Sequence, residues 1–420
     1  MSTTDRIRTV AELLSRPGTP GRPPAPAPHQ GAEHALAAGR TGTALALAVL
    51  ADHEDAEGAP EAAAELRRAA HGQLAAAVKS PGGTRGGGLF SGAAALAFAA
   101  RTMARRPGEY RSLLDALAPR VRQAAAARVA ELRADLAAGA GLRAHTFDTV
   151  SGVAGLGRLL LALEPDGPAL ADLLTALVEL AEPTGTTLPR WWTAGGPGLP
   201  GADPDFPQGH LNLGLAHGIP GPLALLALAR LRGVGLPGQD EAIDEAIEAL
   251  ASWLAARQTP TGSWPMTLRV EDERAGRPPA DPPTRAAWCY GTPGAARALF
   301  LAGAALRRPD WQATAVAALA GTLAADPCGW NLDGPGLCHG TAGLLRITQR
   351  TAEESGSAEL AAHLPALAAT VGAELDTALA AGHPSGLLEG TAGAALALHG
   401  YTRTTTADPA AEWDAFLLIG

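Results

Sequence analysis

Two cysteines and a histidine stand where a metal ion can be held. Cys289 occurs in WCYG, Cys338 in LCHG, and His339 follows the second cysteine directly. Zinc takes thiolate and imidazole ligands in tetrahedral geometry, and three protein ligands leave the fourth position open, as catalysis requires. Each cysteine sits at the start of a predicted helix, where the N-terminal dipole favours thiolate. The third thiol, Cys328 in DPCGWNL, falls outside this arrangement and reads as a non-ligand; as a fourth ligand it would close the site.

These residues belong to a repeat, which must be sought before any other organisation. A short glycine turn runs into an apolar helix seven times, with its first glycine at 39, 92, 152, 218, 291, 340 and 390. The spacings of 53, 60, 66, 73, 49 and 50 residues each hold two helices of ordinary length plus connections. The slot before that glycine holds His217, Tyr290 and His339 in three copies, and Cys289 and Cys338 precede two of these. Reactive side chains at matching slots of a repeat are hard to obtain from packing alone.

The helices after the turns are apolar nearly all round, whereas residues 240–254 place Ile243, Ile247, Leu250 and Leu254 on one stripe among carboxylates. A buried inner ring and an amphipathic outer ring follow. The expected fold is all-α: an α/α toroid of seven helix pairs. A proline-rich run at 16–28 reads as extended or disordered. It divides the chain into a poorly ordered lead-in over 1–30 and a toroid domain over 31–420, with a further long loop near 275–284.

Composition narrows the class. The chain has 420 residues, 47% of them apolar and only 4% aromatic, ample for a core. Net charge is -9, and no basic stripe occurs, so nucleic acid is not an expected partner. The N-terminus has no apolar signal region, and no long uncharged apolar stretch suggests a membrane span. Three cysteines without an export signal point to a reducing cytoplasm rather than to a disulfide framework.

The segments HLNLGLAHGIPG (210–221), RAAWCYGTPG (285–294) and LCHGTAGLL (337–345) resemble the signature motifs of lanthipeptide cyclases, the lanthionine synthetase C-like family. EGTAG (389–393) and the closing WDAFLLIG are similar too. The resemblance implies a catalytic Zn2+ held by Cys289, Cys338 and His339, and catalytic roles for His217, Asp148, Arg285 and Tyr290. The implied activity is addition of peptide cysteine thiols to dehydroalanine or dehydrobutyrine, forming lanthionine and methyllanthionine rings. The implied partners are a dehydrated precursor peptide with its leader, a separate dehydratase and an exporter, with the chain a monomer in the cytoplasm or peripheral to a membrane-bound complex. The alternative is a zinc-containing relative that binds glutathione or another thiol without cyclising.

The chemistry is consistent with the residue types. A free thiol, with pKa about 8.5, is mostly protonated at neutral pH, and zinc removes that proton. Addition then leaves an enolate that needs a proton, for which histidine is the natural donor. Asp148 would orient His217, Arg285 would stabilise charge on the carbonyl oxygen, and Tyr290 would donate a hydrogen bond. Trp191, Trp192 and Trp264 read as packing before they read as a peptide groove. His210 and Asn212 read as supports of the His217 turn, and the acids at 203–205 as turn residues. An α/α glycosidase or terpene cyclase would need paired carboxylates or an acidic metal cluster, which the sequence lacks.

Overall fold

The computed structural model describes residues 1–16, 34–80, 82–197, 203–236, 240–279, 284–403 and 409–420. Most of the proline-rich run at 16–28 and part of the loop at 275–284 lie outside the described residues. The chain begins with α1 (Thr3–Ser15), α2 (Arg40–Ala56), α3 (Pro60–Lys79), α4 (Gly92–Met103) and α5 (Arg111–Ala138). A one-turn α6 (Ala144–Phe147) leads to α7 (Val153–Leu163) and α8 (Pro168–Ala181). Strand β1 (His210–Asn212) precedes α9 (Pro220–Leu231) and α10 (Asp240–Ala255), and β2 (Thr267–Arg269) precedes a short α11 (Val270–Arg274). The remainder is α12 (Thr292–Ala305), α13 (Pro309–Ala324), α14 (Thr341–Ser355), α15 (Ala358–Ala380) and α16 (Thr391–Thr402), then a 3-10 stretch at Pro409–Leu417. The two strands pair antiparallel, with Leu211 opposite Leu268.

Each glycine turn of the repeat opens a helix that burial surrounds. Every residue of α12 from Thr292 to Gly303 is buried, as is every residue of α9 from Pro220 to Ala229. The intervening helices bury one stripe. In α3 it comprises Ala63, Leu66, Ala70, Leu74 and Ala77, and in α10 Ile243, Ile247, Leu250 and Leu254 are all within 1% of complete burial. Ala and Gly are abundant in α4, α12 and α16, where backbones that pack closely leave little room for long side chains.

By contacts the chain forms two compact units. One comprises 1–121, 332–349 and 361–414; the other comprises 122–331, 350–360 and 415–420. In the first, α2 packs on α3, α4 and α16, and α1 lies on α16, α2 and α3. In the second, α9 lies against α7 and α12, while α10 covers α8, α9 and α12.

The sequence reading joined residues 1–30 into one poorly ordered lead-in, and α1 corrects its first half. Thr3–Ser15 is a helix with a capping box, in which the Ser2 hydroxyl accepts from Asp5 N–H and the Asp5 carboxylate accepts from Ser2 N–H. Ile7, Val10, Ala11 and Leu14 are buried, at i, i+3, i+4 and i+7, one face of a helix. Arg6 clips this helix to α15 with a bidentate bond to Asp376 at 2.9 and 2.6 Å. Among the described residues no outer helix follows the inner helix α16, and α1 packs against it.

Backbone hydrogen bonds connect one glycine turn to the next. In the first unit Leu36 N–H donates to Phe90, Leu388 N–H to Ala37, and both Leu337 and Cys338 N–H to Leu388. In the second, Thr149 N–H donates to Ala216 and Ala216 N–H to Cys289. Within each unit these bonds hold neighbouring turns at fixed spacing. No helix among the described residues is long and apolar enough to cross a membrane.

Candidate metal centre and acid–base pair

The turn before α12 bends sharply. Gly291 has φ of 98°, a conformation that side chains resist, and a Cβ there would run into the Arg285 carbonyl. Gly294 one turn later would meet the Trp288 carbonyl. The loop 285–291 is thus folded back under the helix it precedes, with Cys289 and Tyr290 at its crest. Gly218 repeats the arrangement: a Cβ there would strike the Asn212 carbonyl, which also accepts from Ile219 N–H at 3.1 Å.

Cys289, Cys338 and His339 each offer one ligand atom, and these atoms lie within 4.8 Å of one another. Cys289 is buried, while Cys338 and His339 are half-buried. Two thiols and an imidazole are the donor set that zinc prefers, and three protein ligands leave a coordination position for a substrate. Cys328 is not in this group; it is exposed, and its N–H donates to Asp326 at 2.9 Å.

His217 and Asp148 form the second feature. The Asp148 carboxylate is 2% exposed. One oxygen accepts from Ser151 and Gly152 N–H, both at 2.7 Å, and the other lies 2.7 Å from His217 Nδ1. A carboxylate acceptor places the proton on Nδ1 and leaves Nε2 as the second exchange site. Burial works to lower the His217 pKa, but the hydrogen bond and charge of Asp148, aided by Cys289, leave it raised. The imidazole side chain keeps 42% of its surface exposed, so a reactant can reach it.

Asn212 connects this pair to the cysteine turn. Its Nδ2 donates to the Tyr290 hydroxyl at 3.1 Å, its Oδ1 accepts from Gly214 N–H at 2.9 Å, and the rings of His217 and Tyr290 are 6.3 Å apart. Thr149, which sequence reasoning missed, bonds the turn from the other side, its hydroxyl donating to Leu215 at 2.7 Å. No pattern announces Thr149, because its partner lies 66 residues away. Arg285 is half-buried at the opening of the cysteine turn, and its backbone packs against Gly291. His210 sits in β1 with Nδ1 2.7 Å from the Gly195 carbonyl; its pKa is lowered by burial. Trp264 is wholly buried and Trp191 nearly so, which makes them core.

The glycine turns, the inner and outer helices and the cluster of two cysteines and one histidine together define a mostly helical α/α toroid with a candidate metal centre. The fold is that of a solved structure, nisin cyclase, matched with a TM-score of 0.76 at 20% identity over 99% of this chain and 96% of that one. A family model described as "Lanthionine synthetase C-like protein" matches residues 32–418, and the chain belongs to that family. No curated protein matches it in sequence.

Proposed function

We propose that this chain is a lanthipeptide cyclase, joining cysteine thiols of a dehydrated precursor peptide to dehydroalanine or dehydrobutyrine. The observation that carries the reading is the convergence of Cys289, Cys338 and His339 within 4.8 Å, in a member of the lanthionine synthetase C-like family. These three residues fit zinc by their chemistry. Bound there, zinc would lower the pKa of an incoming peptide thiol and present it as a nucleophile.

The residues of the chain do the rest. The S–Cβ bond forms as the Cα=Cβ electron pair moves toward the carbonyl oxygen, giving an enolate that must gain a proton at Cα. His217 supplies it: the raised pKa increases its protonated fraction near neutral pH, and Asp148 holds the ring by Nδ1 so that Nε2 faces the reactant. Asp148 also stabilises the imidazolium while it waits. Arg285 balances charge on the carbonyl oxygen, and the Tyr290 hydroxyl, oriented by Asn212, donates to the same developing anion. A separate dehydratase makes the substrate, and the chain acts in the cytoplasm.

The test is incubation of the purified, zinc-loaded chain with a dehydrated peptide. Loss of free thiol at unchanged mass, one ring per thiol, is the expected result. Zinc binding and thiol binding without ring closure would assign the chain to the thiol-binding relatives instead.

A further inference from the structure

The closing residues are buried as deeply as any in the molecule: Phe416, Leu417, Leu418 and Ile419 are all at 0% exposure. They lie in the second unit, across the end of the 3-10 stretch at Leu417. Their carbonyls would be orphaned in an apolar interior. Side-chain donors reach three oxygens of this segment. Leu417 accepts from the Trp288 indole at 2.8 Å, Ile419 from Arg297 Nε at 2.8 Å, and Gly420 from Arg158 at 3.0 Å. Arg158 belongs to α7, which follows the Asp148 turn; Arg297 belongs to α12, which follows the Cys289 turn; Trp288 directly precedes Cys289.

We infer that residues 415–420 are an internal strut for the candidate metal centre, and that Trp288 is the positioning residue through which the strut holds Cys289. This rests on the reading of Cys289 as a zinc ligand. The backbone of Trp288 is closed against Gly294, and its indole is fixed by Leu417. The next peptide is anchored through the Cys289 carbonyl, which accepts from Ala216. With both ends of the residue fixed, the direction of the Cys289 side chain is set before any ion arrives. Groups behind the ligands of a metal govern affinity in this way.

Trp288→Phe removes the N–H together with the five-membered half of the indole, leaving a smaller aromatic ring in the same place. Trp264→Phe is the control: that indole is equally buried and donates to Leu254 at 2.8 Å, so it loses a bond of the same kind directed at a different element. Zinc affinity is measured by competition with a chromophoric chelator, on protein whose circular dichroism matches wild type. Trp288→Phe should weaken zinc roughly tenfold, while Trp264→Phe binds as wild type. Arg297→Gln, which severs the strut at Ile419, should weaken it in the same direction. Equal affinity in wild type and Trp288→Phe overturns the inference, as does equal weakening by both tryptophan variants. A wild-type chain that takes up no zinc sinks the metal reading itself, and the inference with it.

Discussion

The duties proposed for Asp148 and His217 are separable from those of the three residues that put a donor atom into the cluster, and single substitutions should divide them. Cys338→Ala should lose both zinc, measured by metal analysis, and ring formation; full metal content would remove Cys338 from the ligand set. His217→Ala should retain zinc yet slow ring closure by about 10²- to 10⁴-fold, the range for loss of a general acid. Unchanged turnover of a dehydrated peptide would end its role as proton donor. Cys328→Ala should alter neither metal content nor rate, because that thiol is exposed and outside the cluster. The cysteines and histidines were legible in the sequence because they occupy matching slots of a repeat. The contacts of Asp148 and Thr149 were not, since each reaches a partner more than 60 residues away.

Two local features decide whether the elements carry these side chains correctly. Gly291 combines positive φ with a backbone carbonyl where a Cβ would go. Gly382 has positive φ of 66° and open space around it. Gly291→Ala should therefore cost well over the about 1–2 kcal/mol expected from φ alone, and should also weaken zinc, while Gly382→Ala pays only the conformational part. Equal losses in urea unfolding would remove the steric argument. The α1 clip is pH-dependent in a defined direction. The hydrogen bond from Arg6 lowers the Asp376 pKa below its ordinary value of 3.8. A depressed folded pKa means that the stabilisation is complete above the unfolded value and fades as pH falls through the folded one. The protection of residues 3–15 against hydrogen exchange, taken relative to the intrinsic rate at each pH, should fall only below about pH 4, and Asp376→Asn should show that lower protection at every pH. Wild-type protection already lost at pH 6 would place the clip elsewhere.

For the molecule as a whole, a bound ion should raise stability by mass action. Free zinc at a hundred times its dissociation constant adds about 2.7 kcal/mol if the unfolded chain does not bind it. Titration with a chelator should lower the unfolding midpoint of the wild type and leave that of Cys338→Ala unmoved. A midpoint that ignores chelator in both proteins would mean that no ion is held in the folded state. At this scale the helical toroid was readable beforehand, since seven turns at regular spacing with alternating buried and one-sided helices allow few other architectures. The place of α1 was not. Its apolar face, Ile7, Val10 and Leu14, fits any helix in need of cover, and only the folded unit shows that it packs on α16, α2 and α3.

The linear order of residues determined the repeat, the helical periods, the donor chemistry of Cys289, Cys338 and His339, and the family motifs around them. All of these are properties of spacing along the chain, and 3.6-residue periodicity or a recurrent glycine is visible without coordinates. The tertiary structure alone decided which carboxylate faces His217, how Asn212 reaches Tyr290, and that Leu417 receives the Trp288 indole. Those pairs lie 69, 78 and 129 residues apart. A hydrogen bond acts over about 3 Å and leaves no periodic trace in sequence, so only the folded backbone could bring such partners into register.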